Sequence, residues 1–211
     1  MRPSDLIRND LGEELWAECS LRMSSTDKLP VVEELSPFQS SKTYFIYGKT
    51  RQFDFPTLPH GSYCIYDADG RKAIRLTRQG KEIESVLNSN WHILTECSPV
   101  ILANLILTFF DGGIRSTHRI LADADAIHCH GKNYVLNDLE FEKSQELIGT
   151  TSASRCDNAV VIRAVTLCGW MHDKQNLGIE NIRILKSGEV QLEKRRVLSK
   201  KIFKSVPQIR Y

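Results

Sequence analysis

The stretch Ser98–Gly131, SPVILANLILTFFDGGIRSTHRILADADAIHCHG, decides how the rest of the chain is read. From Pro99 to Phe110 only Asn104 and Thr108 are polar, and a segment that is apolar on nearly every side has to be enclosed by protein or lipid. Its 12 residues fall short of the roughly 20 that span a bilayer as a helix. Ser98 suits an N-cap, Pro99 the first helical position and Asp111-Gly112-Gly113 a stop, so the residues predict a buried helix over 99–110.

Two further helices are expected before it. Ile7, Leu11, Leu15 and Cys19 recur every four residues behind Ser4, with Trp16 widening the stripe, which predicts an amphipathic helix from Ser4 to about Cys19. Ile83, Val86, Leu87 and Leu94 make a second stripe over about Gln79–Leu94, with Trp91 beside it. Residues 20–42 hold Ser-Ser-Thr, Pro30, Glu33-Glu34 and Pro37 without a sustained period, so they read as a polar linker, mobile between an N-terminal part (1–42) and one domain (43–211). After the apolar helix, Ser116 caps an expected helix reaching about Ile127, and Asn137 with Glu140 opens a short one that stops at Gly149. The glycine-led entry to Ser116 would aim Arg115 and backbone amides at one spot, as anion-holding helix starts do.

Strand signals lie on both sides of these helices. Thr43–Tyr47 is aromatic and β-branched. Tyr63–Tyr66 and Lys72–Thr77 flank Asp67-Ala68-Asp69-Gly70 as a hairpin, and Ile182–Leu185 and Val190–Leu192 flank Lys186-Ser187-Gly188 as another. Asn158–Cys168, almost continuous in Ala, Val, Ile and Leu, has the pattern of a strand buried on both faces. No β-helix-β rhythm repeats, so the fold class expected is α+β: a mostly antiparallel sheet of two hairpins and a buried central strand, packed on the helix 99–110 and its amphipathic neighbours.

Several short strings suggest chemistry and are weighed against their surroundings. Gly48-Lys49-Thr50 lacks the glycine five residues upstream that a phosphate loop needs, since Thr43 stands there. IYDADG looks like the nucleophile motif of haloacid-dehalogenase-type phosphatases, which should open a doubly wound sheet; here a second strand follows at once, and a turn accounts for the residues. RSTHRI resembles the iron-binding segment of 2-oxoglutarate oxygenases over six residues, but no upstream His-x-Asp accompanies it. His128 and His130 would share a strand face and could take one divalent metal ion; at a helix end they would instead sit against the negative pole of its dipole. His118 and the adjacent pair His172 and Asp173 are the remaining candidates for catalysis, in a metal-dependent hydrolase or nuclease.

Charge offers the other functional lead. The formal net charge of +2 hides seven basic and no acidic residues over 194–210, against 21 basic and 26 acidic elsewhere, so a segment of +7 is joined to a remainder of −5. Lys194, Arg195, Arg196, Lys200, Lys201 and Lys204 carry most of that segment, and Val197, Leu198, Ile202, Phe203 and Val206 among them imply that it is partly packed. Arg71, Lys72, Arg75, Arg78 and Lys81 put five more cations into eleven residues around the first hairpin. Arg71 and Arg75 share one strand face while Ile74 and Leu76 share the other, apolar beneath and basic on top. Such asymmetry points to a binding module for nucleic acid or an acidic protein partner.

No secretory signal or membrane span is apparent, so a cytoplasmic setting is expected. Six cysteines, Cys19, Cys64, Cys97, Cys129, Cys156 and Cys168, stand singly, which fits free and mostly buried thiols.

Overall fold

A computed structural model of the chain describes residues 3–13, 31–46, 61–66, 72–76, 80–110, 119–122, 134–135, 149–168, 175–193 and 196–205. It contains both helices and antiparallel sheet, an α+β arrangement. The helices are α1 (Pro3–Leu11), α2 (Lys81–Ser89) and α3 (Pro99–Phe110). Among the described residues no helix is long and apolar enough to cross a membrane.

Helix α3 has the bounds that its caps imply, and Leu102, Ala103, Leu105, Ile106, Leu107 and Phe109 are buried along it. They join one core cluster with Leu35 and Phe38 from the segment before the first strand, Ile83, Val86 and Leu87 from α2, and Val160, Ile162, Ala164, Ile182 and Ile184 from the larger sheet. The segment expected as a linker therefore contributes core over its described part. Glu33–Leu35 forms a 3-10 turn, Val31 bridges to Tyr44, and the buried Thr43 hydroxyl donates to the Leu35 carbonyl at 2.6 Å. Ser36 Oγ accepts from the Thr43 N–H at 3.0 Å and donates to the Val32 carbonyl at 2.8 Å, so these buried hydroxyls are paired.

The smaller sheet runs β1 (Ser41–Ile46), β2 (Gly61–Tyr66), β3 (Lys72–Leu76), all antiparallel, with Tyr66 opposite Lys72 at the closing end of β2–β3. The larger has seven strands: β4 (Arg119–Leu121), β5 (Tyr134–Val135), β6 (Ser152–Cys156), β7 (Ala159–Cys168), β8 (Gln175–Leu185), β9 (Val190–Leu192) and β10 (Arg196–Ser205). Its spine is the long ribbon β7–β8, paired from Ala159–Leu185 to Cys168–Asn176. Each flank of this ribbon is covered by two strands end to end. Beside β7, β6 pairs residues 159–163 and β4 pairs 165–167; beside β8, β9 pairs 182–184 and β10 pairs 175–179.

The junction between β4 and β6 is closed by one side chain. Buried Thr151 donates its hydroxyl to the Leu121 carbonyl and accepts the Val165 N–H at 3.0 Å, while its own N–H reaches the Ala122 carbonyl at 2.8 Å. The hydroxyl thus takes the place of a backbone group in the ladder where the edge strand changes.

Three helical expectations are corrected. Arg119–Leu121, expected inside a helix from Ser116 to about Ile127, is strand β4: pairing with Leu167–Val165 buries both Ile120 and Leu121, one on each face, which a helical stripe would not do. Helix α1 ends at Leu11, where Gly12 takes φ +79° and its N–H caps the Arg8 carbonyl at 2.9 Å; Glu13 is again helical, and the rest of the expected run to Cys19 lies outside the described residues; Ser4 lies within the first turn, behind Pro3, so it is not the cap. Helix α2 ends at Ser89; its C-cap Asn90 donates its side-chain amide back to the Val86 carbonyl at 2.9 Å, and Trp91–Ile93 continues only as a 3-10 turn. The expected helix from Asn137 lies outside the described residues.

Glycine is required at the β8–β9 turn. Gly188 has φ +88°, and a Cβ built there would overlap the Glu84 carbonyl oxygen of α2.

Three stability outcomes follow from these contacts. Leu105→Ala or Ile106→Ala should each cost about 2–5 kcal/mol by lost burial and a residual cavity, read from urea midpoints. Thr151→Val should cost about 1–3 kcal/mol by stranding the Val165 N–H and the Leu121 carbonyl, whereas Thr151→Ser should recover most of the loss. Gly188→Ala should lose more than about 1 kcal/mol, seen as a lower thermal midpoint, because left-handed backbone penalises any Cβ and this one also has to push α2 away.

Candidate functional site

The basic hairpin is held by the same helix that organises the core. Along β3, Leu76 is buried, Ile74 half-buried and Arg75 exposed, so the arginine stands on the side away from the packed residues. The chain then reaches Gly80, buried with φ +76°, where a Cβ would lie 2.7 Å from the Phe110 ring at the end of α3. This close approach seats the start of α2 on α3 and leaves Lys81 exposed at its first position. Glu82 and Glu84 follow in the same turn, so this positive surface has carboxylates beside it. Arg71 and Arg78 lie outside the described residues, and Lys72 is placed by its backbone, opposite Tyr66.

The basic C-terminal segment is a strand over most of its length. Arg196 stands opposite Ile179 and Val197 opposite Gly178 on β8, and Lys204 opposite Val135 on β5. The register against β8 shifts between Val197 and Ser199 and again between Ser199 and Phe203, so Lys200 and Lys201 fall within an irregular part of the ladder. Lys194 and Arg195 lie outside the described residues.

The two basic segments belong to different sheets and approach the spine ribbon at different points. Helix α2 meets the larger sheet at Gly188, just beyond Leu185, whereas β10 begins opposite Ile179 and runs toward Gln175. The six residue steps from Ile179 to Leu185 separate these attachments by about 20 Å of strand.

Two arginines outside the predicted set share the sheet face turned away from the core. Arg163 stands opposite Asn181 and Arg183 opposite Val161, neighbouring positions on β7 and β8. Arg163 donates to the Thr150 carbonyl at 3.2 Å, and Arg183 is exposed. The alternation Ile182-Arg183-Ile184 carried the signal for Arg183. Arg155 is committed elsewhere: it donates to the Trp91 carbonyl at 3.0 Å with its guanidinium 5.4 Å from the centre of the Trp91 ring.

Buried polar chemistry is present at the β7–β8 ribbon. Glu180 and Thr166 are both buried, and the Thr166 hydroxyl lies 3.3 Å from Glu180 Oε1 and 3.4 Å from the Gly178 carbonyl. The catalytic candidates His118, His172 and Asp173 and the metal candidates His128 and His130 all lie outside the described residues. Among the described residues no three His, Cys, Asp or Glu side chains gather as a metal site would require.

Two thiols are described, and both are free. Cys97 is half-buried with its Sγ 3.3 Å from the Ile93 carbonyl, while Cys156 is exposed on strand β6. A five-residue edge strand with one face outward leaves Cys156 nothing to pack under. The side chains of Cys19, Cys64, Cys129 and Cys168 lie outside the description.

No protein-family model matches the chain, and no curated protein or solved structure matches it either.

Burial, and secondarily the charge of Glu96, pushes the Cys97 thiol above its ordinary value. At about pH 8.5, near the usual thiol range, Cys97 should therefore hold less thiolate and alkylate several-fold more slowly than exposed Cys156. Peptide mapping after timed iodoacetamide treatment reads both rates, and adding denaturant should remove the difference.

Proposed function

We propose that this chain is a binding module for a polyanion, nucleic acid in the first instance, contacted by the basic hairpin (71–81) and the basic C-terminal segment (194–211). The observation that carries this reading is the charge asymmetry: +7 over 194–210 with no acidic residue, against −5 for all the rest. Folding such a segment into a strand concentrates cations that a floppy arm would spread, and counterion release from a phosphate backbone is the physical reward for that concentration. In the same reading the two hairpins and the central strand, packed on the helix 99–110, serve as the rigid support on which both basic segments are carried.

The test is a salt titration. Replacing Lys194, Arg195 and Arg196 together by Ala should weaken binding by a similar factor for every nucleic-acid sequence, because phosphate contacts carry no base information. Each lost contact should lower the magnitude of d log K/d log[salt] by about 0.9 on duplex and about 0.7 on single strands. Stability should move by no more than about 1 kcal/mol. No measurable affinity of the unaltered protein for DNA or RNA at about 50 mM salt would overturn the nucleic-acid reading and turn the search to an acidic protein partner.

A further inference from the structure

We draw no further inference here: the strongest candidate, the outer face of the β6–β7–β8–β9 end of the larger sheet where Arg163 and Arg183 occupy neighbouring positions, carries nothing because nothing in the structure shows what covers it.

Discussion

Enclosing an apolar cylinder is the constraint on which this structure depends. Helix α3 cannot settle against one surface as an amphipathic helix does; it needs partners around most of its circumference. Leu35 and Phe38 approach it from the segment before β1, Ile83, Val86 and Leu87 from α2, and the aliphatic residues of β7 and β8 from the larger sheet. Fully burying a side chain of this size contributes about 1.5–3 kcal/mol, so a dozen such contacts outweigh any single polar one. The same demand accounts for two glycines. Gly80 lets the start of α2 close on Phe110, and Gly188 lets the β8–β9 turn close on Glu84, so α2 is held between the apolar helix and the larger sheet.

The larger sheet is organised by a related economy of backbone hydrogen bonds. A ribbon of two long strands offers more edge than one short strand can cover, and the chain covers each edge in two pieces. Where the pieces meet beside β7, Thr151 supplies the missing acceptor and donor from its side chain. Along the core side of the ribbon the cross-strand pairs change from Val160–Ile184 and Ile162–Ile182 to Ala164–Glu180 and Thr166–Gly178. The apolar core therefore gives way, within one strand, to a small polar layer in which a buried carboxylate has a hydroxyl beside it, as burial of a charge-bearing group demands.

Legibility in the sequence follows from how local each determinant is. The start of α3 was readable because Ser98 and Pro99 act within one turn of themselves, and the β-rich run after Asn158 was readable because its composition admits little else. Gly12 and Asn90 carried stop signals that the longer apolar stripes around them masked. Strand β4 was not readable: Ile120, Leu121 and Ala124 have helical spacing, and the deciding partner is Val165–Leu167, more than forty residues away. Leu35 and Phe38 were missed for a comparable reason, since two apolar residues among prolines and glutamates show no period. Of the candidate site, the exposed positions of Arg75 and Lys81 could be read from alternation and from the helix start. The strand character of the basic segment could not, because its cations interrupt the apolar pattern and its register against β8 is irregular.

On the proposed reading, the position of β10 would give its cations two physical roles at once. Residues 196–203 pair with β8 on one side, and among the described strands the other side is met only at Lys204 and Ser205, by β5. An exposed strand edge invites pairing with another chain, and lysines along it oppose that pairing because each would have to lose its hydration against the incoming strand. A nucleic acid approaches differently: its phosphates meet the hydrated ammonium groups from outside and release their own counterions in doing so. On the proposed reading one set of charges would serve both ends, and the two effects separate in their dependence on salt. Edge protection acts through a desolvation cost at short range and is weakly screened, whereas phosphate binding weakens steeply as salt rises.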